Sequence, residues 1–153
     1  MDDHDRGMLQ ELRDREAVKD VVLRYAAAVD RRDFDAVAAC FTPDAEYAGA
    51  LAHGRVGDAL ASLRRSLARY EGTMHFVGNQ LVEVTGDSAA CETYAIAYHR
   101  SREAGELRDL AVAVRYRDDL VRDAGAWRIR KRDATTLWTR VDPVRPGALP
   151  GGQ

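Results

Sequence analysis

The chain has 153 residues, 46% of them hydrophobic and 31% charged, with a net charge of −2. That is long enough for one domain with a real core or an internal pocket. There is too little basic excess for nucleic-acid binding to dominate and no apolar run of membrane-spanning length, so neither nucleic acid nor membrane is expected as a partner.

The first ten residues, MDDHDRGMLQ, are acidic and polar where a secretory leader needs a basic start and an apolar core, which points to a cytoplasmic protein. Residues 1–8 are expected to fray, leaving His4 in solvent. A first helix is predicted over residues 9–31. Its apolar positions Val18, Val22, Tyr25 and Val29 recur at i, i+4, i+7 and i+11, while Arg24, Arg31 and Arg32 mark the wet side. Asp30 stands at the C-terminal end, where the helix dipole disfavours a negative charge. Asp33 reads as the N-cap of a second helix over residues 34–40. Phe41-Thr42-Pro43-Asp44 stops the helices, a short strand follows over residues 46–51, and His53-Gly54-Arg55 is a turn. A third helix over residues 57–69 carries Leu60, Leu63 and Leu67 inward.

From Gly72 the period changes to two, and Gly86, Gly105 and Gly125 punctuate four extended runs at residues 74–84, 89–102, 107–121 and 127–138. Helices followed by a meander predict an α+β fold with the helices on one sheet face. The expected organisation is a single domain over residues 1–141 with a Pro- and Gly-rich tail at 142–153. Cys40 and Cys91 lack CxxC spacing and read as buried thiols in a reducing compartment.

Alternation puts His75, Val77, Asn79 and Leu81 on one strand face, and Thr93, Ala95, Ala97 and His99 on one face of the next. Small residues beside a histidine resemble a pocket wall. A carboxylate at the helix end could accept a hydrogen bond from His75 and fix its tautomer, making His75 a base and Asp30 its orienter. Tyr25, Tyr47 and His99 are candidates to polarise a carbonyl or protonate a leaving hydroxyl. There is no GxSxG elbow, P-loop or GxGxxG. His75, His99 and Asp30 lack a local metal-ligand motif, so neither a metal nor a cofactor is expected.

VVLRYAAAVDRRDFDAVAACFTPDAEY, GTMHFVGNQLVEVTGDSA and AGAWRIRKRDATTLW together resemble, over about residues 11–141, the SnoaL-like branch of the nuclear transport factor 2-like superfamily. The resemblance implies a cystatin-like α+β cone in which N-terminal helices pack on a curved, mixed, mostly antiparallel sheet enclosing a pocket. The nearest pattern is that of scytalone dehydratase, bile-acid 7α-dehydratase and lindane dehydrochlorinase. By that resemblance Asp30 and His75 form a catalytic dyad with Tyr25 as a third catalytic group. The resemblance also implies that Tyr47, His99 and Arg132 bind substrate, and Asn79, on the His75 face, is expected to join them. Simple alternation groups Arg132 with Arg128 and Arg130, so it faces inward only if its strand bulges. The implied activity is a cofactor-free dehydratase or isomerase acting on a hydrophobic, oxygenated ring of polyketide or steroid type. A polyketide cyclase and a non-catalytic binding or oligomerisation domain are the alternatives. The broad outer sheet face, with Tyr94, Ile96 and Tyr98, predicts a homodimer or homotrimer.

Overall fold

In the computed structural model the described residues are 2–144. Helix α1 runs Asp3–Arg31, because Asp2 and Asp5 form a reciprocal capping box that closes its first turn. The predicted frayed segment is therefore helical from Asp3, although His4 is exposed as expected. The helix ends where Arg32 turns left-handed at φ 58°. Asp33 then caps α2 (Phe34–Ala39) by accepting a 3.0 Å hydrogen bond from the Ala36 N–H.

Strand β1 spans Phe41–Gly49, starting earlier than the predicted 46–51. Its pairing slips between Phe41 and Glu46, so Pro43 lies in an irregular stretch where its missing N–H interrupts no ladder. His53–Arg55, expected as a turn, is instead a short strand β2 paired antiparallel to β1. Helix α3 (Val56–Leu67) follows, then β3 (Gly72–Thr85), β4 (Ser88–Glu103), β5 (Glu106–Asp123) and β6 (Ala126–Pro143). Strand β6 runs five residues past the predicted Trp138, into the start of the expected tail. Residues 145–153 of that tail lie outside the described residues.

The sheet order is β2-β1-β6-β5-β4-β3, antiparallel throughout except for the parallel β1–β6 pair. The expected α+β architecture with a curved, mixed, mostly antiparallel sheet is therefore what the chain forms. The apolar stripe of α1 (Val18, Val22, Tyr25, Val29) packs into one core with Phe41, Leu120, Trp127 and Ile129. A polar clasp fixes the helix on the sheet: Asp14 accepts from Arg122 Nη2 at 2.8 Å and from Trp127 Nε1 at 3.1 Å. Cys40 and Cys91 are free and buried. Among the described residues no helix is long and apolar enough to cross a membrane.

Candidate active site

Asp30, one residue from the end of α1, reaches the start of β3. Its Oδ1 lies 2.7 Å from His75 Nδ1 and accepts from Thr73 Oγ1 at 3.1 Å, while its Oδ2 accepts from the His75 backbone N–H at 2.8 Å. A carboxylate facing Nδ1 holds the proton on that nitrogen and leaves Nε2 as an acceptor. Burial pushes the Asp30 carboxyl up, but the ring and backbone N–H of His75, with Thr73, outweigh it and hold the group below the ordinary carboxylate range. The side chain of His75 is 7% exposed and that of Asp30 23%. The helix end that disfavours an acid is thus compensated from the sheet.

His75 opens into a cavity of about 190 Å³. The histidines His75 and His99 line it with Tyr25, Tyr47, Tyr70 and Tyr116 and the hydroxyls of Ser66 and Thr136, and its walls are otherwise apolar. His99 stands on β4 beside Ala97, as alternation predicts, with its ring 6.4 Å from that of His75. Its Nδ1 faces the Leu110 carbonyl oxygen at 3.4 Å. Burial, and then the neighbouring charge of His75, lower its pKa, which favours a neutral imidazole. The Tyr70 ring lies tilted against His99, with the centroids 4.9 Å apart. It is held there because Arg32, just past the end of α1, donates at 2.6 Å to both the Leu67 and Tyr70 carbonyls.

Beneath the tyrosines lies Arg132, fully buried and paired bidentately with Asp118 at 2.7 Å through Nε and Nη2. Its guanidinium sits 4.2 Å from the ring centroids of both Tyr25 and Tyr116, and its Nη1 has no hydrogen-bond partner. Burial opposes the charge, but Asp118 outweighs it and the pKa of Arg132 is raised. Burial also raises Tyr25, Tyr47 and Tyr116, so all three are neutral phenols. Arg132 faces inward because β6 bulges: Ile129 pairs with Leu120 and Lys131 with Asp119, leaving Arg130 as the extra residue.

Asn79 does not join the site. Strand β3 slips against β4 between Val77 and Gln80, which reverses its alternation and leaves Asn79 exposed while Val82 turns inward. The expectation that Asn79 shares a face with His75 is therefore corrected. Sequence reasoning missed Thr73, Tyr70 and Asp118. Thr73 precedes His75 by two residues and could have been found by the same alternation. Asp118 could be found only through its cross-strand pairing with Arg132. Among the described residues no cluster of three or more His, Cys, Asp or Glu side chains is placed to hold a metal ion.

The family model described as SnoaL-like domain matches residues 10–133. An uncharacterized protein of Mycobacterium tuberculosis, Rv2910c, is 31% identical over 144 residues, covering 90% of this chain and 96% of that protein. The crystal structure of a scytalone dehydratase homologue from Novosphingobium aromaticivorans superposes with a TM-score of 0.75 at 25% identity, covering 88% of this chain and 91% of the other. That of a hexachlorocyclohexane dehydrochlorinase (LinA) type 2 gives 0.75 at 22%, covering 94% and 98%, a likeness of fold.

Proposed function

The chain belongs to the SnoaL-like domain family, and from that premise we propose a cofactor-free lyase or isomerase that uses His75 as general base, oriented by Asp30, on a compact oxygenated ring. The observation that carries this reading is the 2.7 Å contact of Asp30 Oδ1 with His75 Nδ1 at the wall of a cavity. In the reaction, Nε2 removes a proton from the carbon next to a carbonyl, and the electron pair moves onto the carbonyl oxygen. The neutral hydroxyls of Tyr25 and Tyr47, the former over the Arg132 charge, stabilise that oxyanion. When the enolate collapses, the β C–O bond breaks and the leaving hydroxyl takes the proton back from the imidazolium, or one from Tyr25, to depart as water. If the proton instead returns to another carbon, the result is isomerisation. Neutral His99 hydrogen-bonds the departing hydroxyl.

The cavity's 190 Å³ falls below the roughly 300–1,000 Å³ of most drug-sized ligand pockets. It favours one- or two-ring bodies over a steroid skeleton. The names of the two structural relatives, a dehydratase and a dehydrochlorinase, both denote eliminations and support the same reaction class. The test is to incubate the protein with β-hydroxy cyclic ketones and follow enone absorbance. Turnover by wild type that disappears in His75→Ala supports the reading. Ketols that shift the NMR signals of His75, His99 and Tyr70 without being consumed would make this a binding protein instead.

A further inference from the structure

A second concavity, of about 360 Å³, opens between α1, α2 and the start of β6. None of its lining residues also lines the cavity at His75. Its floor is apolar, with Val21, Cys40 and Trp127 all buried. Its rim carries Arg24, Arg31 and Arg128, and among the described residues no carboxylate lines it. Val21, Arg24 and Arg31 fall at i, i+3 and i+10, so one helical stripe supplies both the floor and two of the cations.

Most of the donors on these arginines are unused. Among the described residues the Arg24 side chain donates only through Nε, to the Asp20 carbonyl at 3.2 Å. Arg128 meets Asp123 at a loose 3.5 Å, and among the described residues the Arg31 side chain has neither hydrogen bond nor ion pair. In a chain of net charge −2, three guanidinium groups around one hollow are not a by-product of overall basicity. Their planar forks suit the two oxygens of a carboxylate, and the floor suits a flat apolar body.

We propose that this groove is a binding site for a compact aromatic carboxylate, held by Arg24, Arg31 and Arg128 with its ring against Val21 and Cys40. The site is separate from the chemistry at His75. The probe is sodium benzoate, titrated into the isotope-labelled full chain and followed by NMR, with sodium phosphate titrated in parallel. Benzoate should give saturable shifts at Arg24, Arg31 and Arg128. Arg31→Gln and Arg24→Gln, both at exposed positions, should each weaken it by about tenfold. Arg128→Gln serves as a third, independent variant. Shifts that do not saturate, equal binding of phosphate, or shifts centred on Tyr70 and His99 would each overturn the proposal.

Discussion

Replacing Asp30 by Asn keeps the side chain's shape and removes its charge, and the consequence can be worked out from its two contacts with His75. Oδ2 faces the His75 backbone N–H at 2.8 Å and Oδ1 faces Nδ1 at 2.7 Å. A backbone N–H requires an acceptor, so the amide oxygen of Asn must take the Oδ2 position, which turns the NH₂ toward Nδ1. Nδ1 must then accept, and the ring proton moves to Nε2, the nitrogen that removes the substrate proton in the proposed reaction. Turnover should fall by about a hundredfold to ten-thousandfold, the contribution of general acid-base catalysis. Stability should fall by only about 1–3 kcal/mol, the cost of losing a charged hydrogen bond. Ring nitrogen shifts of His75 report the tautomer without any substrate. An Asp30→Asn variant whose His75 keeps its proton on Nδ1, or whose turnover stays near wild type, would refute the reasoning.

Other outcomes follow from the same geometry. His75→Ala should abolish turnover while leaving the circular dichroism spectrum unchanged, because the ring faces a cavity and not the close-packed core. Arg132→Met strands the fully buried Asp118 charge and should cost about 3–5 kcal/mol in urea unfolding. Adding Asp118→Leu to it should restore most of the loss. In a pH series, stability should decline in two steps. Unfolded His99 gains its proton from its ordinary value of 6.5 downward while native His99, its pKa lowered, does not, so stability falls as pH drops below 6.5. Below 3.8, Asp14 and Asp30 stay ionised in the native state while the unfolded carboxyls protonate, so stability falls again until the native groups protonate too. His99→Gln should erase the upper step alone. Gly49→Ala would set a Cβ 2.7 Å from the Ala134 carbonyl oxygen and 3.1 Å from the Tyr47 hydroxyl. It should cost about 1–3 kcal/mol by the same unfolding assay, because β1 must back away from β6.

The Asp30–His75 pair was legible in the sequence because each residue is odd where it stands: an acid at the wrong end of a helix and a histidine on an inward strand face. Alternation also placed His99 correctly, since β4 pairs with both neighbours without a slip there. It failed at Asn79 and was undecided at Arg132 for one physical reason. An extra residue in a strand reverses every side chain beyond it, and neither Gly78-Asn79 nor Arg130-Lys131 advertises that insertion. At Gly78 a Cβ would lie 3.1 Å from the Tyr94 carbonyl oxygen, a closeness only the folded sheet reveals. Tyr70 was missed because its place depends on Arg32 holding the end of α3, a contact between segments far apart in sequence.

The parallel pairing of β1 with β6 also dictates an order of assembly. Strands β3 to β6 form by successive hairpins, each from neighbouring sequence, whereas β1 must wait for Phe41 to meet Ile129 near the other end of the described chain. During synthesis, when N-terminal segments emerge first, β1 can pair with β2 and α1 can meet β3, but the edge of β1 that joins β6 stays unpaired until β6 leaves the ribosome. Asp30 can find His75 well before that moment; Tyr47 cannot find the Arg132 layer. A nascent chain arrested before β6 would therefore hold the dyad without the wall opposite it. It would also leave Phe41 without Ile129, an unfinished surface open to chaperones.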